Sequence, residues 1–102
     1  MEALRPLDLS DFDLSDWVRL APAATRVVGS DLLVNAGGAT GSVERLVGSG
    51  PELWWAFDQG LTLGEAAARL TARTGAPPDV VEAHVLKFAA ALVEARLAEP
   101  AR

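Results

Sequence analysis

The sequence predicts an α+β domain of winged helix-turn-helix-like type, in which a three-stranded antiparallel sheet is followed by three helices. Between residues 17 and 47, short apolar stretches are separated by glycine and proline, which is typical of short strands joined by turns. After Gly50, apolar residues recur at helical spacing and capping motifs mark the helix starts. The length of 102 residues, half of them hydrophobic, fits one domain with one modest core.

The strands are predicted from four apolar stretches, at residues 17–21, 25–28, 31–35 and 42–47. Three strands are expected from these stretches, and the division of residues 18–34 among them stays open. The glycine-rich segment 36–41 is expected to connect the last two strands as a hairpin, because glycine adopts the backbone conformations that such turns need.

The helix starts are predicted from their capping sequences. Residues 49–52 and 62–65 both have the form S/T-x-x-E of a capping box, and they open a short first helix and a second helix. Pro78 begins the third and longest helix, which is expected to end near Ala95. Trp54 and Trp55 are adjacent, so a helix cannot bury both on one narrow face, and one is expected at a boundary or as an anchor for a partner.

The third helix carries more apolar surface than one contact needs. One stripe, interpreted as core, consists of Val81, Val85, Phe88 and Leu92. A second apolar stripe consists of Leu86, Ala90, Val93 and Leu97, and the opposite edge carries Val80, His84, Lys87 and Ala91. The second stripe either packs on the first two helices or lines, in part, an open groove beside the last strand, where an extended peptide could add to the free strand edge.

The acidity of the chain is concentrated at its start. Residues 1–16 contain five acidic residues against one arginine, whereas residues 17–102 contain nine acids and eight bases. Residues 1–16 are therefore predicted to be an acidic flexible tail, and residues 17–99 the folded domain. This balance argues against nucleic acid as a partner, because phosphate binding needs clustered Lys and Arg. With no cysteine, no membrane-length apolar run and no signal-peptide pattern, the chain is predicted to be cytoplasmic.

No catalytic constellation can be assembled from the sequence. His84 is the one histidine, and no residue at helical spacing from it completes a metal site. Residues 37–41 lack the Lys and Ser/Thr of a phosphate-binding loop. The chain is therefore predicted to be no enzyme and to carry no cofactor or metal.

The helical half of the sequence resembles the PqqD-like family, whose members serve as recognition elements for ribosomally synthesised precursor peptides. The resemblance rests on residues 53–60, then on residues 61–67, and then on Val85, Phe88, Leu92 and Leu97 at matching spacing. Residues 32–34 and 43–46 stand where the family has its second and third strands, so that the resemblance covers about residues 17–99.

The resemblance implies a winged-helix-like protein that binds the leader region of a precursor peptide as an added strand. It would present the precursor to a maturation enzyme, such as a radical enzyme, a leader peptidase or a cyclase. The residues implied in peptide binding are Val43, Glu44, Arg45, Leu46, Val47, Val80, His84, Lys87 and Ala91. Two positions depart from the family pattern: His84 replaces a frequent Asp, and Arg96 replaces a frequent Gly, which allows the third helix to run longer.

Three other interpretations stay open. A winged-helix DNA-binding protein would read DNA with the helix after Asp79, although that helix carries acids. A dimerisation module would bury the second stripe or pair free strand edges with a second copy. Finally, Leu9, Phe12 and Leu14 would occupy the groove as an internal mimic of the peptide.

Overall fold

Antiparallel strands precede three helices in a computed structural model of the chain, which describes residues 12–36 and 43–101. The elements are β1 (Trp17–Leu20), β2 (Ala24–Val28), β3 (Asp31–Asn35), β4 (Val43–Leu46), α1 (Gly50–Asp58), α2 (Leu63–Thr74), α3 (Pro78–Glu94) and β5 (Ala98–Ala101). The predicted fold class, with a three-stranded antiparallel sheet followed by three helices, is confirmed.

The main sheet has the strand order β2-β3-β4, and both pairs are antiparallel. Gly29 and Ser30 form the two-residue turn between β2 and β3, since Val28 and Asp31 face each other across the strands. The predicted glycine-rich connection between β3 and β4 lies, from residue 37 to residue 42, outside the described residues. Since side chains alternate along a strand, Leu32 and Val34 share the face that the helices cover, and both are buried.

The core forms between the inner face of β3 and the helices, with α1 packed on β1 and β3 and with α2 packed on α3. The helices contribute Leu53, Trp54, Phe57, Leu63, Leu70, Val81, Val85 and Leu92, all of them buried. The adjacent tryptophans separate as expected, because Trp54 is 3% exposed and Trp55 is 40% exposed. On α3, Ala90 is buried, while Leu86 and Val93 pack partly buried against the core, so the second stripe packs inside the domain.

One of the two predicted capping boxes forms. Thr62 accepts a hydrogen bond from the Glu65 amide at 3.1 Å, and the Glu65 carboxylate accepts one from the Thr62 amide at 2.8 Å. The predicted capping box of Ser49 and Glu52 is wrong. Ser49 has a helical backbone conformation and makes no capping bond, and Glu52 forms an ion pair with Arg73 of α2 instead.

Residues 17–21, whose place among the three predicted strands stayed open, supply β1, which lies outside the main sheet. Trp17–Leu20 pairs with Ala98–Ala101 in a separate antiparallel sheet of two strands, supported by an Arg19–Glu99 ion pair at 2.6 Å. The sequence offered little signal for β5, since it is only four residues long and contains Pro100. Pro100 is tolerated there because the two-stranded sheet has only edge strands.

The third helix does not run longer despite Arg96. The helix ends at Glu94, and Arg96 adopts a left-handed conformation with φ of 63°. The amide of Leu97 donates to the Leu92 carbonyl at 2.9 Å, and the amide of Arg96 donates to the Val93 carbonyl at 3.0 Å. These two bonds define a Schellman motif, with arginine at the position where glycine is usual.

Within the described residues, the chain already packs on the domain at Phe12, inside the segment that was predicted to be a tail. Phe12 is buried and belongs to the core cluster. The amide of Gly64 donates to the Leu14 carbonyl at 2.8 Å, and the amide of Leu63 donates to the Asp16 carbonyl at 2.9 Å. The free amides at the start of α2 thus hold residues 14–16 in place. The remainder of the predicted tail, residues 1–11, lies outside the described residues.

No helix in residues 12–36 and 43–101 has both the length and the apolar character needed to span a membrane.

Candidate functional site

The candidate site lies between β4 and α3. β4 is an edge strand, because β3 pairs with one of its sides and, among the described residues, no strand pairs with the other. An unpaired edge presents backbone N–H and C=O groups to any extended chain that approaches it. The other edge of the same sheet is β2, whose five residues are all exposed.

Contacts at the start of α1 bring α3 to the end of β4. The side-chain oxygen of Ser49 lies 2.9 Å from Nε2 of His84, within hydrogen-bonding distance. At Gly50, a Cβ atom would meet Leu46 Cβ at 3.2 Å and the Phe88 ring at 3.4 Å, so both side chains pack over this glycine. The Phe88 ring also lies 6.3 Å from the ring of Phe57. These contacts place the middle of α3 beside the end of β4.

Strand β4 presents different side chains on its two faces. Leu46 and Glu44 are paired with Leu32 and Val34, so they point to the side that the helices cover. Leu46 is buried there, whereas Glu44, one step along the edge, is exposed. Changes at Leu46 therefore affect the core as well as the groove.

The opposite face of β4 carries Val43 and Arg45. Arg45 donates to Asp31 of the neighbouring strand with an N–O distance of 2.6 Å, so its charge is already matched within the sheet. Val43 is 58% exposed, and Val47, just after the strand, is 59% exposed. The strand thus offers exposed apolar side chains beside its free edge.

The helix wall consists of the α3 residues that share an edge with His84. At 100° per residue, Val80, His84, Lys87 and Ala91 fall within about 60° of one another. All four are exposed, and Val80 is 58% exposed. Phe88, which the sequence assigned to the core stripe, is only partly buried and stands at the boundary between core and groove. The contact of Phe88 with Gly50 could not be predicted from the helical period, because the period does not show which element packs against a given side of the helix.

The charges that remain available in the groove are those of Glu44 and Lys87. Neither takes part in an ion pair within residues 12–36 and 43–101. Among the described residues, the two carboxyl groups with a perturbed pKa lie elsewhere. Hydrogen bonds from Ser15 lower the pKa of Asp13, and hydrogen bonds from Thr62 lower that of Glu65.

The described part of the chain contains no group of three or more His, Cys, Asp or Glu that could hold a metal ion. Open cavities in the described part of the chain include one of about 360 Å³ beside β1 and β5 and one of about 280 Å³ between α2 and α3. A third, of about 190 Å³, lies on the outer face of the main sheet, where Val43 is one of its lining residues.

The structure brings part of the predicted site together. The end of β4 meets His84 through Ser49, and Val80, Lys87 and Ala91 share the edge of α3 with it. The role of the nine predicted residues in peptide binding stays a prediction. Two residues proposed to occupy the groove, Phe12 and Leu14, do not lie there: Phe12 is in the core, and Leu14 packs on Gly64 of α2. Leu9 is outside the described residues.

A family model described as "Coenzyme PQQ synthesis protein D (PqqD)" matches residues 16–98, which include β1 to β4 and all three helices. Neither the curated proteins nor the solved structures gave a match.

Proposed function

Because the chain belongs to the PqqD family, we propose that it binds the leader region of a ribosomally synthesised precursor peptide and presents that precursor to a maturation enzyme. It would act in the cytoplasm and without catalysing a reaction itself. The leader would add as a strand to the free edge of β4 and lie against the His84 edge of α3.

The observation that carries the proposal is the unpaired edge of β4, within the described residues, beside an exposed helix edge. Strand addition needs an open row of backbone groups for affinity and side-chain pockets for specificity. β4 supplies the first, and the apolar side chains of Leu46 from β4 and Phe88 from α3, which lie against Gly50, are proposed to supply the second.

The charge of α3 supports a peptide over DNA as the partner. Its described part carries Asp79, Glu82 and Glu94 against Lys87, so it offers no cluster of cations for phosphates. Self-association is a second candidate, and Val27 of β2, 67% exposed on the opposite edge of the sheet, favours it.

Hydrogen exchange of the two sheet edges tests the proposal. The leader half of a short precursor encoded beside this gene would be added to the labelled protein, with amide protection followed by NMR. Protection is expected to rise in residues 43–47 and to stay unchanged in β2, which serves as the internal control. Protection gained at β2 alone, or at neither edge, would contradict strand addition to β4.

An N-methyl scan of the bound peptide gives a second, independent readout. In a β-ladder only alternate amides of the added strand point to the neighbouring strand. Methylation is therefore expected to weaken binding at every second position, measured by calorimetry. Equal losses at all positions would indicate a peptide that is held by side chains alone. Light scattering of the protein without peptide decides whether it also self-associates.

A further inference from the structure

Lys87 lies on the outward side of α3, about 60° from His84 at 100° per residue. The His84 ring reaches Ser49 beside β4. Glu82 lies about 160° from His84 and lines the cavity against α2, and Asp79 falls on the same half of the helix as Glu82. Glu94 lies within about 20° of Lys87 on the same side, but two helical turns, about 10 Å, further along the axis.

The neighbouring charges do not neutralise Lys87. Arg45 and Asp31 satisfy each other on the outer face of the sheet, and Glu52 is bound to Arg73. Glu44 points to the helix side of β4 but forms no ion pair with any described residue. A peptide lying between β4 and α3 would therefore find a cation on the helix wall and an acid on the strand wall.

The spacing of side chains fits an alternating peptide. His84 and Phe88 are one turn apart, about 6 Å along the helix axis. Successive side chains on one face of an extended strand are about 6.6–6.8 Å apart, which is two residues. A peptide side chain packed on Phe88 thus has its next neighbour on the same face near His84, within reach of the long Lys87 side chain.

We infer that the groove selects leader segments in which an apolar side chain is followed or preceded, two residues away, by a single acidic side chain that pairs with Lys87. The apolar residue packs on Phe88 and Leu46. Glu44 disfavours a peptide that is acidic throughout, since a second carboxylate would lie beside it without a cation. This inference rests on the proposed function, because it describes the leader that the same groove would take.

A selection from a random 12-residue peptide library displayed on phage tests the inference without knowledge of the natural leader. The baits are the full chain, its Lys87→Glu variant, and an Arg26→Glu variant. The last is the matched control, because it makes the same change of charge on β2, at the other edge of the sheet. Circular dichroism establishes that all three baits are folded.

The parent and Arg26→Glu baits are expected to enrich the apolar-x-acid or acid-x-apolar pattern, and the Lys87→Glu bait is expected to lose it. For one selected peptide, replacing the acid by its amide should weaken binding to the parent about two- to fivefold, the range of a partly exposed ion pair. Binding to Lys87→Glu should not weaken on that replacement. An oligoglutamate peptide should bind less well than the selected peptide.

Equal enrichment of acids by the parent and Lys87→Glu baits would overturn the inference, as would enrichment of peptides without acids. In either case the proposed function would stand if the selected peptides still protected the amides of residues 43–47. Failure to select any peptide, or selection of peptides that leave β4 unprotected, would overturn the proposed function and the inference with it.

Discussion

Replacing Arg96 by glycine is expected to make the domain more stable. Arg96 is exposed, forms no ion pair with a described residue, and adopts a left-handed conformation at φ 63°. The backbone bonds around it belong to the Schellman motif, which glycine accommodates without strain. The substitution therefore removes strain and leaves the hydrogen bonds of the motif intact.

The size of the gain follows from two opposing effects. A left-handed conformation costs a residue that has a Cβ atom about 1–2 kcal/mol. Glycine also has more conformational freedom in the unfolded chain, and this offsets about 0.4–1 kcal/mol of the stabilisation. The free energy of unfolding should thus rise by about 0.8 kcal/mol, the difference between the midpoints of these ranges. For a domain of about 100 residues, this corresponds to a rise in Tm of about 3–6 °C.

Urea unfolding followed by circular dichroism measures this change, with two control variants. Arg96→Ala removes the guanidinium but keeps the strain, so it should lie within about 0.5 kcal/mol of the parent. Ala95→Gly introduces glycine at a right-handed position, φ −81°, and should cost about 0.5–1 kcal/mol. If Arg96→Gly were no more stable than Arg96→Ala, strain at this position would not be the reason for the gain, and the argument would be refuted.

Four further predictions concern the helices. At Gly64, a new Cβ would lie 3.0 Å from the Leu14 carbonyl oxygen, which the backbone hydrogen bond to the Gly64 amide holds in place. The cost of overpacking, about 1–3 kcal/mol, should therefore exceed the gain of about 0.4–1 kcal/mol from replacing glycine, so that Gly64→Ala lowers the free energy of unfolding by about 1 kcal/mol. An unchanged urea midpoint would contradict this. Thr62→Ala should cost about 1 kcal/mol, the usual contribution of an N-cap, in the same assay. Hydrogen bonds from Thr62 lower the pKa of Glu65 below its ordinary value of 4.5. The stability that the Glu65 carboxylate contributes is therefore present above pH 4.5 and is lost as the pH falls through the lowered pKa. Glu65→Gln should flatten the dependence of the free energy of unfolding on pH in this range. Trp54→Ala should cost about 3–5 kcal/mol and Trp55→Ala far less, because only the first is buried; equal costs would contradict this burial.

The sequence predicted those parts of the fold that depend on local pattern. The helical period placed α3 from Pro78 to within one residue of its end, and the capping box at Thr62 formed as predicted. The same motif failed at Ser49, because Ser49 has a helical conformation and its hydroxyl lies against His84 instead. A capping sequence specifies which bonds are possible, and tertiary contacts decide which of them form.

Long-range pairing was beyond the reach of local pattern. β1 resembles a strand of the main sheet in its alternation, but its partner is β5, at the other end of the domain. In the same way, the sequence could assign His84 and Lys87 to one edge of α3, but it could not show that Leu46 and Phe88 both lie against Gly50. The candidate groove was predicted as a pair of elements, and only the structure shows which side chains lie where the two elements approach each other.

The pairing of β1 with β5 places the first and last described strands of the domain side by side, with Trp17 directly opposite Ala101. Residues opposite each other in an antiparallel ladder have Cα atoms about 4.5–5.5 Å apart. The two ends of this strand pair therefore lie close together, and the packed segment from Phe12 to Asp16 precedes it as part of the same unit. A unit with neighbouring terminal strands suits insertion into a surface loop of another protein, provided that residues 12–16 are included. An insertion of this kind would keep the candidate groove between β4 and α3 together with the rest of the unit.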